Sequence, residues 1–183
     1  MKSIVGTLSL VGVGACLALG NAALSAATQT PAPPGAHKNW TAPSRKIYAQ
    51  KLSDDIMAKH SELISVTFHG VPPGMTKVYT MFAGSFPERI GNADDPDDID
   101  VTTKGITILD PRWHRTNDPE RKFVVMMPLR DASTENVGLI VFAFKNPVNS
   151  GKAEREYFAE AAAMRDGLEK QISSYKALFD PVK

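Results

Sequence analysis

Two apolar runs, residues 123–129 and 137–144, flank a polar turn of seven residues, RDASTEN, and form the clearest pattern in the chain. Both runs are too short for stable helices and are rich in Val, Ile and Phe, so they predict a strand–turn–strand unit. Successive side chains on a strand face opposite ways. Phe123, Val125, Met127 and Leu129 therefore share one face, and Val124 and Met126 the other. A strand that is apolar on both faces is covered on both, which predicts this hairpin at the centre of a sheet.

The flanking periodicities supply the remaining elements. Ser44 is placed to cap a helix running to about residue 60, in which Ala49, Leu52, Ile56 and then Leu63 recur at steps of three, four and seven. Residues 64–71 alternate as a strand that stops at Pro72-Pro73-Gly74, and residues 78–83 form a second strand paired with it through PPGMTK. The acidic stretch at residues 94–100 holds five aspartates, but its spacing lacks the central glycine and distal glutamate of an EF-hand loop. Helix capping accounts for it instead. Asp95 is a cap, Pro96 suits the first helical position, and Asp97 and Asp98 meet the positive end of the helix dipole, giving a short helix over 96–103. A third strand starts at residues 106–109, and residues 110–121 form a polar loop. The chain closes on a helix over 152–179 with Tyr157, Ala161, Met164, Leu168, Ile172, Tyr175 and Leu178 in its apolar stripe. Gly167 weakens that helix by about 1 kcal/mol.

The first 27 residues change this picture, because their pattern is that of a leader. A basic start precedes an apolar run and a small-residue stretch in which Ser25 and Ala27 satisfy a cleavage site. This predicts a signal peptide and a periplasmic, secreted product with no membrane span after cleavage. A lipoprotein anchored through Cys16 is the second reading, and a retained membrane helix the third. Residues 28–42 are proline-rich and read as a disordered linker, leaving one domain over 43–183. The chain has 21 basic and 20 acidic residues, so with Lys2 in the leader the remainder balances. No basic stripe points to nucleic acid. The single cysteine lies in the leader, which leaves the mature chain without thiol chemistry.

No catalytic motif, phosphate-binding loop or dinucleotide fingerprint is present. An uncharacterised hydrolase acting through Asp131, Glu120 or a histidine has no spacing to support it, and no enzyme activity is expected. His37, His60, His69 and His114 have no metal-ligand spacing, so neither a cofactor nor a metal site is expected. The remaining chemistry suits recognition. His69 and Tyr79 lie on neighbouring strands, with Arg89, Trp113, His114 and Arg115 in loops. An arginine, hydroxyl or imidazole groups and an aromatic wall can hold a small anionic or aromatic ligand. His69, Tyr79, Arg89, Trp113 and Arg115 are the candidate ligand-binding residues.

A family resemblance rests on several short motifs in fixed order. They are HSEL at 60–63, VPPG at 71–74, RIG at 89–91 with the acidic stretch after it, PLRDA at 128–132 with Val137-Gly138, AMRD at 163–166 and ALFDP at 177–181. In that order they resemble the PAS-like Cache (PDC) extracytoplasmic sensor domains, in a stand-alone secreted bacterial form. The resemblance implies an α+β fold, a central antiparallel sheet with long N-terminal and C-terminal helices and a ligand pocket on one sheet face. No output domain is expected after it. The implied role is a periplasmic ligand-binding or sensor module in signal transduction, the alternative being an accessory module that docks an envelope protein.

Overall fold

The computed structural model describes residues 37–111 and 121–182. Residues 1–27, expected to be a leader, residues 28–36 of the expected linker, and Trp113, His114 and Arg115 lie outside the described residues. The elements are α1 (Tyr48–Lys59), β1 (Leu63–Gly70), β2 (Thr80–Gly84), a 3-10 turn (Pro87–Arg89), α2 (Pro96–Lys104), β3 (Ile108–Pro111), β4 (Lys122–Arg130), β5 (Asn136–Lys145), α3 (Glu154–Glu169) and a 3-10 turn (Lys176–Phe179). The class is α+β. Five strands form one antiparallel sheet in the order β2-β1-β5-β4-β3. None of the described helices is long and apolar enough to cross a membrane.

The alternation read along residues 123–144 divides the sheet into two faces. Phe123, Val125, Met127 and Leu129 of β4 join Val66, Phe68, Ile140, Phe142 and Phe144 in the main core, beneath α1 and α3. Tyr157 of α3 stacks on Phe123 with centroids 4.5 Å apart, and its hydroxyl donates to Asn146 Oδ1 at 2.9 Å. Val124, Met126, Leu139 and Ala143 face the other way and pack with Val101 of α2 in a smaller cluster. The hairpin is therefore central and covered on both sides, with β5 as the middle strand. Its turn is organised by Asp131, whose Oδ1 accepts from the N–H groups of Ser133 and Glu135. That carboxylate serves as the acceptor that closes the turn.

Both terminal helices are shorter than the periodicity predicts. α1 starts at Tyr48 with Ile47 at its N-cap, not at Ser44, and it has no side-chain cap. The reason is tertiary. Ile47 is extended and bridges Pro181, and the Tyr48 N–H donates to Asp180 O at 2.8 Å, so the C-terminal segment supplies the acceptor that a cap would. Leu63 opens β1 and is not part of the helix. At the other end α3 stops at Glu169. The chain then turns so that Ile172 O accepts from Ala132 N–H in the β4–β5 turn, and the Tyr175 hydroxyl donates to Val71 O. A straight helix to residue 179 would carry both groups away from the sheet. Residues 37–42, placed in the linker by composition, are bound to the domain. Asn39 N–H donates to Gly91 O, and Trp40 packs edge-on against Phe179.

α2 follows its expected course. Asp95 Oδ1 accepts from Asp97 and Asp98 N–H, Asp98 Oδ2 accepts back from Asp95 N–H, and Gly105 ends the helix in the left-handed conformation. Asp95→Ala is expected to cost about 1 kcal/mol, read as a lower urea midpoint with unchanged m-value. An unchanged midpoint would show that the cap contributes nothing.

Candidate functional site

β1 places Thr67 and His69 on the face that α2 covers, because they alternate with Val66 and Phe68 of the main core. Both are buried. The segment from β2 to α2 returns along the same edge. Asp94 N–H donates to Tyr79 O, and Thr80 bridges Ala93. Asp94 thereby sits just before the capped helix, with Asp98 one turn further on. Their carboxylates converge on the imidazole. His69 Nδ1 is 2.7 Å from Asp94 Oδ1 and 3.8 Å from Asp98 Oδ2. His69 Nε2 is 2.8 Å from Thr67 Oγ1. The Asp94 side chain is fully buried, and its second oxygen, Oδ2, has no hydrogen-bond partner among the described residues. Gly138 makes the arrangement possible on the β5 side. It has φ +133°, and a Cβ there would lie 2.5 Å from His69 O.

The electrostatics follow from this geometry. Burial alone disfavours an imidazolium, but the charges of Asp94 and Asp98 and the hydrogen bond to Asp94 outweigh it, and the His69 pKa is pushed up to about 9. Arg89 opposes the shift, so its positive charge is felt at His69 although its side chain is exposed. The Asp98 carboxyl is pushed up to about 6, by burial first, with Asp94 and Asp95 adding and His69 opposing. Burial, with the Asp94 charge second, also raises the Tyr175 phenol, so that hydroxyl stays protonated as a donor. The order Asp94, His69, Thr67 has the connectivity of an acid–base–nucleophile relay. The two carboxylates favour the protonated imidazole, which disfavours its acting as a base toward Thr67.

Of the residues expected from the sequence, His69 is at the centre of this cluster. Tyr79 contributes its backbone carbonyl, which accepts from Asp94 N–H and from Asn39 Nδ2; β2 begins after it, at Thr80. Arg89 is on the 3-10 turn, its guanidinium 5.5 Å from the centroid of the Phe86 ring. Trp113 and Arg115 lie outside the described residues. Thr67, Asp94 and Asp98 are additions. Capping explains Asp95, Asp97 and Asp98 in the sequence and Asp100 pairs with Lys104 one turn on, which leaves Asp94 without a local role as the available signal.

No known protein-family profile matches the chain, and no curated protein is significantly similar to it. The site therefore stands on its own geometry.

Proposed function

We propose that this chain is an extracytoplasmic small-molecule-binding module of the PAS-like Cache kind, with its ligand site on the α2 face of the sheet around His69. One observation carries the reading. Three ionisable side chains converge on a sheet face where Val124, Met126, Leu139 and Ala143 form an apolar cluster. Taking such groups out of water costs several kcal/mol per charge, and an apolar trio would hold α2 on the sheet without that cost. Groups with shifted pKa values concentrate where proteins bind and react. The antiparallel sheet with helices on both faces supports the family resemblance, and the leader supports a periplasmic location.

The charge balance refines the ligand class. Two carboxylates around one imidazole are net negative when ionised, so this site favours a ligand with a positive centre. An anionic group would be held on the Arg89 side. A thermal-shift screen of the full chain against amino acids, polyamines and metal cations, with native mass spectrometry of the chain purified from its envelope fraction, tests this. The expected result is a compound that raises the melting temperature of the wild type but not of His69→Gln. A bare mass together with no stabilising compound would overturn the reading.

A partner-docking role is the second reading. A groove of about 410 Å3 runs between α1 and α3, with Leu52, Ile56, Met164 and Leu168 in its walls. Its rim is charged, carrying Asp55, Lys59, Glu62 and Glu160. Among the described residues the exposed large apolar side chains are Met75, Ile106, Leu109, Val148 and Phe158, which come from four separate stretches of the chain. The buried cluster therefore ranks above the groove.

A further inference from the structure

We propose that His69, Asp94 and Asp98 form a binding site for one divalent transition-metal cation, of which Zn2+ is the test case. This deepens the ligand-binding reading and rests on it, since it names the class of positive centre the site accepts.

The donor set has the right chemistry. One imidazole nitrogen and two carboxylates suit a borderline cation, for which metal–ligand distances are about 2.0–2.2 Å. A tetrahedral arrangement at those lengths separates ligand atoms by roughly 3.3–3.5 Å. The three side chains each offer a donor atom within 4.8 Å of the others. Nδ1 to Asp98 Oδ2 is 3.8 Å and needs to close slightly, while Nδ1 to Asp94 Oδ1 is 2.7 Å and needs to open. The short separation is that of a hydrogen bond, and a cation would occupy the place of the shared proton. Both adjustments are below 1 Å and fall on side-chain torsions.

Two further features distinguish the trio from an ordinary acidic cluster. Asp94 Oδ2 belongs to a side chain with no solvent exposure and has no hydrogen-bond partner among the described residues. A buried carboxylate oxygen left unpaired is costly, and native structures keep few of them. A cation held by both oxygens of this carboxylate would satisfy it. His69 Nε2, the ring nitrogen that faces away from the carboxylates, is held by the Thr67 hydroxyl at 2.8 Å. A metal-ligating histidine characteristically gives its second ring nitrogen to such a partner, which fixes the tautomer and the ring plane. Asp98 is the most exposed of the three side chains, at 13 %, and marks the entry side. Three protein donors leave a fourth position for water or for part of an organic ligand.

The test uses the full chain stripped with EDTA and titrated calorimetrically with Zn2+ near neutral pH. One ion per chain is expected, with a rise of several degrees in melting temperature. Mg2+ and Ca2+ should have no comparable effect, because the imidazole selects against hard cations. Asp98→Asn and His69→Gln should each weaken Zn2+ binding at least about tenfold. Asp100→Asn, which removes an exposed partner of Lys104, should leave it unchanged. If His69→Gln fails to fold, Asp98→Asn decides, since that side chain is nearer the surface. Absence of stoichiometric Zn2+ binding would overturn the proposal. So would binding undiminished in Asp98→Asn, or Mg2+ bound as well as Zn2+. Repeating the organic screen in EDTA separates the two levels. A compound that stabilises the metal-free chain while Zn2+ does not would overturn the metal site and leave the ligand-binding reading standing.

Discussion

Ile140→Asp is expected to abolish the folded state. Ile140 is fully buried in the main core on β5, the middle strand, where it pairs with Phe68 of β1 on one side and Met127 of β4 on the other. Loss of a buried isoleucine side chain alone costs about 2–5 kcal/mol. An unpaired carboxylate among Phe68, Phe142 and Met127 adds several kcal/mol more, whether it stays charged or takes up a proton. The total reaches the 5–15 kcal/mol that typically separates folded from unfolded domains. The expected observation is loss of the cooperative urea transition and of near-UV circular dichroism. Val148→Asp, at a side chain that is 63 % exposed, is the control and should stay within about 0.5 kcal/mol of the wild type. A cooperative transition in Ile140→Asp near the wild-type midpoint would show that β5 is not the centre of the fold.

That expectation was readable from alternation alone, because residues 123–129 and 137–144 are apolar on both faces and only a central, doubly covered hairpin buries both. The short helix α2 was equally legible, since Asp95, Pro96 and Gly105 are local signals that act within one turn. The terminal helices were not. Ser44 is a good cap in isolation, but the Asp180 carbonyl supplies the acceptor from more than 130 residues away. The apolar stripe from Tyr157 to Leu178 keeps a helical period although the chain turns after Glu169, because Ile172 and Leu178 are buried by tertiary contacts that happen to continue the spacing. Periodicity reports which side chains are buried, and it does not report whether one helix buries them all.

The site was legible in one residue. His69 shared the polar face of its strand with Ser65 and Thr67, but the carboxylates that meet it come from a segment 25 or more positions on. Capping was a sufficient local account of Asp98, and no local rule shows that the same oxygen of an aspartate at the third helical position can cap the helix and face a histidine of the sheet beneath it. Only the return of the chain after β2 brings Asp94 and Asp98 over His69. Tyr79, chosen for its hydroxyl, serves through a backbone carbonyl, a group that sequence reasoning does not distinguish from any other.

The same cluster should make stability fall as pH rises through the alkaline range, opposite to the trend of an ordinary salt-bridged carboxylate. The His69 pKa is about 9 in the folded chain against 6.5 for the free side chain, so the folded state binds the proton more tightly. The contribution is complete below about pH 6.5 and is lost as pH rises through 9, and the shift corresponds to about 3 kcal/mol. Asp98 acts with the same sign lower down. Its pKa of about 6 lies above the ordinary 3.8, so its contribution is complete below 3.8 and lost as pH rises through 6. The interval from pH 6.5 to 9 therefore isolates His69, with Asp94 and Asp98 as its attracting neighbours and Arg89 as the opposing charge. In EDTA, wild-type unfolding free energy from urea titrations should drop by up to about 3 kcal/mol across that interval. His69→Gln should be less stable at pH 6.5 and nearly flat to pH 9, because the group that titrates is gone. A wild-type profile as flat as that of His69→Gln would mean that the buried imidazole is neutral and that Asp94 and Asp98 do not hold its proton.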